Sequence, residues 1–88
     1  MIKKFLDARE MEHPKPLELA VRILRELDNE SYLYMVHRKE PHPLLAIARE
    51  HNLNFLSYKD KNEIWHILIT PNSNIELKDL LEDSIVSK

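Results

Sequence analysis

Three of the five histidines stand in or just ahead of paired prolines. His13 opens His13-Pro14-Lys15-Pro16, His42 lies inside Pro41-His42-Pro43, and His37 precedes that second segment. Charged side chains crowd both places: Asp7, Arg9, Glu10 and Glu12 ahead of the first, Arg38, Lys39 and Glu40 ahead of the second. Imidazole changes charge near neutral pH, so such a cluster can bind a divalent transition metal, move a proton or, with Arg and Lys beside it, hold a ligand or partner. A metal centre would use His13, His37 and His42. That spacing, with four residues between His37 and His42, is not a recognised ligand spacing, and neither His-Glu-x-x-His nor paired Cys-x-x-Cys occurs. An enzyme would use His13 as general base or metal ligand, yet no Ser-His-Asp arrangement can be assigned. A helix start favours neutral imidazole, while Glu10, Glu12 and Glu40 pull the other way.

Both clusters sit in one repeated phrase. HPKPLELAVR at 13–22 and EPHPLLAIAR at 40–49 each contain Pro-x-Pro-Leu, with an arginine six positions past the second proline. Proline fixes φ and removes an N–H that a helix start cannot use, so both segments also read as plain strand-to-helix turns that need no ligand. The lost donors make these starts poor phosphate sites.

The elements that must position these residues follow from periodicity. Residues 2–7 and 31–37 read as strands. Pro16 begins a helix with Leu17, Ala20, Val21, Leu24 and Leu27 on one face, ending at Asp28-Asn29, and Pro43 opens a second with Leu44, Ile47 and Ala48 inward. Residues 53–59 and 63–70 flank Asp60-Lys61-Asn62 as an antiparallel hairpin. The expected fold is a two-layer α/β (α+β) sandwich, β-α-β-α-β-β, with a four-stranded mixed sheet and two helices on one face. Strands one and two are expected to be parallel, which brings both proline segments to one edge, where open α/β sheets place ligands. Trp65, Ile67 and Ile69 should face the helices; Tyr32, Tyr34, Tyr58, His66 and Leu68 then line the other face, which is expected to be partly open. Ser73-Asn74-Ile75-Glu76 reads as a capping box for a short third helix with Leu77, Leu80, Leu81 and Ile85 on one stripe, packed on its own sheet or on a second copy. The boundaries are a domain at 1–71 and a C-terminal extension at 72–88.

Composition excludes several function classes. The chain has 88 residues, a formal charge of −2 and no cysteine or glycine. Without cysteine there is no disulfide, thiolate nucleophile, iron–sulfur ligand or persulfide on these residues. Without glycine, phosphate-cradling loops are out, and Asn29, Asn52 and Asn62 are expected at turn and cap positions. The basic residues are dispersed, which argues against nucleic acid and membrane surfaces. The longest apolar run, Leu44 to Ala48, is too short to span a bilayer, and the N-terminal residues lack a signal-peptide core, so a cytoplasmic protein is expected.

Leu6-Asp7-Ala8-Arg9 followed by His13-Pro14-Lys15-Pro16 resembles the first-helix motif of the TusA/SirA-like family, Leu-Asp-x-Arg-Gly-Leu-x-Cys-Pro-x-Pro. That family comprises small β-α-β-α-β-β proteins that relay sulfur. Glu10 stands at the glycine and His13 at the persulfide-bearing cysteine, so these residues cannot relay sulfur. The chain is more similar to the family's cysteine-poor, uncharacterised branch, a domain of unknown function often encoded beside hemerythrin-like domains or respiratory nitrogen-oxide genes. Glu40-Pro41-His42-Pro43-Leu44 resembles that branch's acidic-Pro-x-Pro-Leu motif, with Lys39 where a histidine commonly stands. The resemblance covers residues 5 to about 70. The expected function is a small non-catalytic binding or interaction module, engaging a protein partner or small ligand through Asp7, Arg9, Glu10, His13, Lys39, Glu40 and His42. The alternative is a metal-binding or histidine-dependent enzyme at His13, His37 and His42, which the resemblance links to redox or nitrogen-oxide metabolism. The tail helix is where a homo-oligomer would form.

Overall fold

A computed structural model describes residues 1–80. The chain runs β1 (Ile2–Asp7), α1 (Lys15–Leu24), β2 (Ser31–His37), α2 (His42–Glu50), β3 (Asn54–Lys59) and β4 (Trp65–Thr70), and a further helix begins at residue 77. The sheet order is β1-β2-β4-β3, with β1 and β2 parallel and the other two pairs antiparallel. This is the expected α+β fold with a mixed four-stranded sheet. Its radius of gyration, 12.1 Å, is that of a compact chain of this length.

Strand alternation divides the side chains between two cores. Leu6, Leu33, Met35, Ile67 and Ile69 face α1 and α2 and pack against Ala20, Leu44, Leu45 and Ala48. Most of these side chains are fully buried, each stabilising the fold by about 1.5–3 kcal/mol for a Leu, Ile or Met. Tyr32 and Leu68 point the other way and meet Leu77, with Tyr34, Leu56, Ile75 and Leu80 around them. The second face is therefore partly open, with the start of the tail helix covering one end of it. Polar side chains pin that tail. Asn54 donates to the carbonyls of Asn72 and Ile75, Asn72 donates to that of Asn29, and buried Thr70 donates to that of Ser31. Of the expected tail stripe, Leu77 is buried and Leu80 half-buried, whereas Leu81 and Ile85 lie outside the described residues.

Several boundaries differ from those expected. α1 stops at Leu24, because Glu26 and Leu27 donate to carbonyls three residues back and tighten the last turn. Asp28 then accepts from the Glu30 N–H and the Ser31 hydroxyl, turning the chain into β2. At the end of α2, Asn52 takes φ 57°, and the Leu53 and Asn52 amides donate to Ala48 and Arg49, a Schellman closure without glycine. In the hairpin the left-handed position falls on Glu63 (φ 68°) and not on Asn62. Asp60 holds that turn, with Oδ1 accepting from the amides of Asn62 and Ile64. The third helix begins at residue 77, after a turn in which Asn72 accepts from the Asn74 amide, so Ser73 and Glu76 do not open it as a capping box. Among the described residues no helix is long and apolar enough to cross a membrane.

Candidate functional site

Because β1 and β2 are parallel and in register from Ile2–Ser31 to Asp7–Val36, their C-terminal ends open on one edge of the sheet. The ladder runs one residue further, with the Ala8 amide donating to the Val36 carbonyl at 2.9 Å, and Ala8 is fully buried. That anchors the loop into α1, whose His13–Pro14 peptide is cis. Asp7 turns back on the loop. Its carboxylate accepts from Arg9 Nε at 2.9 Å, from Nη2 at 2.8 Å and from the Arg9 amide at 3.1 Å. The Arg9 side chain, then its amide, lower the Asp7 pKa to about 2. Arg38, from the loop after β2, crosses to Glu10 at 3.0 Å and links the two loops at the surface.

Between the helix starts lies a cavity of about 340 Å³, lined by apolar Pro16, Leu17, Met35, Pro41, Pro43 and Leu44 and by polar His13, His37, Arg38, Lys39 and Glu40. The Arg38 amide donates to His37 Nδ1 at 2.9 Å. That bond requires an unprotonated Nδ1, so His37 is neutral and carries its proton on Nε2. Burial, then the nearby Lys39 charge, lower its pKa and favour the same form. The first-turn amides of a helix have no intrahelical acceptor. Here Pro14, Pro16, Pro41 and Pro43 have no N–H, and Lys15 and His42 donate to the carbonyls of Glu12 and Glu40. One first-turn amide remains at each start, those of Leu17 and Leu44, and both residues line the cavity. The lining sets apolar groups beside an imidazole N–H, two cations, one carboxylate (Glu40) and two helix N-termini, and with the cations and N-termini outnumbering that carboxylate it suits a small molecule with an apolar body and one anionic group.

The structure sorts the expected residues unevenly. His13, Lys39 and Glu40 line the cavity, as does His37. Asp7 and Arg9 bind each other beside it, and Glu10 reaches it only through Arg38. His42 is not part of the lining: it is 78% exposed and lies 3.6 Å from Glu40. The expected metal set of His13, His37 and His42 is therefore not assembled, and among the described residues no group of three His, Cys, Asp or Glu side chains could hold a metal. The cause is helix geometry. His13 precedes the cap Pro14 and belongs to the loop, whereas His42 follows the cap Pro41 as the first helical residue, so the two histidines stand two positions apart relative to their caps and leave the backbone in different directions. Sequence reasoning missed Ser57, whose hydroxyl donates to Glu40 at 3.2 Å from β3, and the cavity walls Met35, Leu17 and Leu44. Their apolar periodicity marked them as core and carried no signal for a cavity.

The far face carries a second polar set. Tyr34 Oη and His66 Nδ1 are 2.8 Å apart, His66 Nε2 lies 2.8 Å from Asp60 Oδ2, and Tyr58 stacks on the imidazole at 4.8 Å. Alternation groups Tyr34, Tyr58 and His66 on one face as ordinary strand formers, and the sequence marks Asp60 only as a turn residue.

A family model described as "Uncharacterized conserved protein (DUF2249)" matches residues 5–71. No curated protein and no solved structure matches the chain.

Proposed function

Since the chain belongs to DUF2249, a family of uncharacterised conserved proteins, its function has to be argued from its own geometry, and we propose that it is a small non-catalytic binding module. Its ligand is a small molecule with an apolar body and an anionic group, held between the starts of α1 and α2. The observation that carries this reading is the cavity on which both Pro-x-Pro segments converge, lined by apolar side chains together with His37, Arg38 and Lys39. Its volume lies within the range of small-molecule sites. The resemblance to TusA/SirA-like proteins supports the same edge, because His13 stands where those proteins carry their reactive cysteine. Self-association through the tail helix has less in its favour, because Leu77 already packs on this chain's own Tyr32 and Leu68.

The test is an NMR titration of the full chain with small carboxylates of differing apolar bulk, benzoate and hexanoate against acetate. Saturable shifts at the Leu17 and Leu44 amides that strengthen with apolar bulk are expected. Shifts scattered over surface lysines without saturation, or no dependence on bulk, would remove the reading.

A further inference from the structure

The Tyr34–His66–Asp60 set lies on the far face of the sheet and takes no part in the helix-start cavity. Asp60 is a carboxylate: the bond from His66, then the amides of Ile64 and Asn62, hold its pKa below the usual value. A carboxylate only accepts, so His66 Nε2 carries a proton. In neutral imidazole Nδ1 is then the acceptor, and the Tyr34 hydroxyl donates to it. The phenol proton thus faces a base backed by an anion. Burial, then the charges of Tyr58, Tyr32 and Asp60, raise the Tyr34 pKa, which disfavours loss of the proton alone. Lys3 Nζ sits 5.5 Å over the Tyr34 ring and disfavours loss of the electron alone, because that would leave a radical cation beside an ammonium. The remaining route moves both together.

We propose that Tyr34 is a redox-active tyrosine, giving one electron to a strong outer-sphere one-electron oxidant while its hydroxyl proton crosses to His66. The Tyr34 O–H bond breaks and a His66 Nδ1–H bond forms. The oxidant is reduced by one electron, and a neutral phenoxyl radical remains on Tyr34. Asp60 holds the new imidazolium through Nε2–H, and Tyr58 stacks on its face at 12° between ring planes. A one-electron reductant such as ascorbate reverses the step and returns the proton along the same bond. Lys3 from β1, Asp60 from the β3–β4 turn, and Tyr32, Tyr58 and His66 are the charged or titratable groups that face Tyr34 among the described residues.

The experiment is flash oxidation of the full chain by photogenerated ruthenium(III) tris-bipyridine, with the radical read by electron paramagnetic resonance. A tyrosyl signal is expected that Tyr34→Phe abolishes and Trp65→Phe retains, with a formation rate independent of buffer concentration because the proton acceptor is internal. His66→Gln keeps a hydrogen-bond acceptor but removes the base, and should slow formation by roughly a hundredfold, the lower end of what a positioned base contributes. Asp60→Asn keeps the turn's acceptor oxygen and removes the anion; it should slow the step less, and it serves if His66→Gln does not fold. Equal rates in wild type and a folded variant would overturn the proposal. So would a signal on Trp65, Tyr32 or Tyr58 in place of Tyr34, or a rate that climbs with buffer.

Discussion

The two helix starts share a sequence pattern and use it differently. At the start of α1 the histidine precedes the cap and lines the cavity, and Pro16 is buried beneath it. At the start of α2 the histidine is the first helical residue and faces solvent, and Leu44 behind it is fully buried. A repeated motif fixes where a helix begins, but the position of one side chain relative to the cap decides which way its chemistry points. The loops are also fastened differently. The first is held by an ion pair within it, Asp7 to Arg9. The second is held by neutral and mixed bonds, the Arg38 amide to His37 and Ser57 to Glu40.

The asymmetry in anchoring yields the largest expected effect. Leu44→Ala removes a fully buried side chain that packs in the core under the cavity and should cost about 2–5 kcal/mol in chemical denaturation. Leu17 is only half-buried, and Leu17→Ala should cost well under that. Equal losses would show that the two starts are anchored alike.

Next comes acid. Asp7 titrates at about 2 because Arg9 holds it as a carboxylate. A depressed folded pKa contributes stability that is complete above the unfolded value near 3.9 and is lost as pH falls through about 2. In Arg9→Leu the Asp7 carboxyl midpoint, followed by NMR, should rise toward the ordinary value. The amides at the start of α1 should shift while those of α2 stay in place; a midpoint that stays near 2 would show that Arg9 is not the cause.

How far the sequence reached is visible in these same residues. Strand alternation and helix periodicity located every element, because they record which faces are buried. Parallel pairing of the first two strands followed from the crossover between them and brought both segments to one edge. The direction of His42 was not legible, because it depends on whether the cap is Pro41 or a later residue, and proline pairs allow either. The bond between Tyr34 and His66 was not legible for a different reason. It runs diagonally across β2 and β4, whose register places His66 opposite Val36, and one sequence does not reveal pairing between strands that far apart. Glu63 in the left-handed position shows the same limit: in a chain without glycine, loop length and the bonds to Asp60 choose the residue, against the side chain's own preference.

The histidines provide a smaller effect. If the cavity binds an anionic small molecule, His13→Ala should weaken benzoate binding by about 2- to 10-fold, the range of one hydrogen bond. His42→Ala should leave it unchanged, since His42 lies outside the lining. Neither should alter the fold, because both side chains are exposed. Equal weakening by the two would return them to one shared site and undo the contrast drawn from the cap positions.

The smallest effect belongs to the contact that joins the two starts. Arg38 and Glu10 are 63% and 85% exposed, and a pair so solvated gains little from Coulomb attraction after water and side-chain entropy are counted. Glu10→Gln should therefore change stability by no more than about 0.5 kcal/mol, even though the pair bridges two loops. Its consequence lies in binding instead. Arg38 lines the cavity, and while Glu10 neutralises it the cavity is less attractive to an anion. Removing that charge should tighten benzoate binding by a small factor that fades at high salt, as expected for exposed charges. A loss of stability without a gain in binding would mean that the pair is a structural brace, and that the two helix starts depend on each other more than their separate anchors imply.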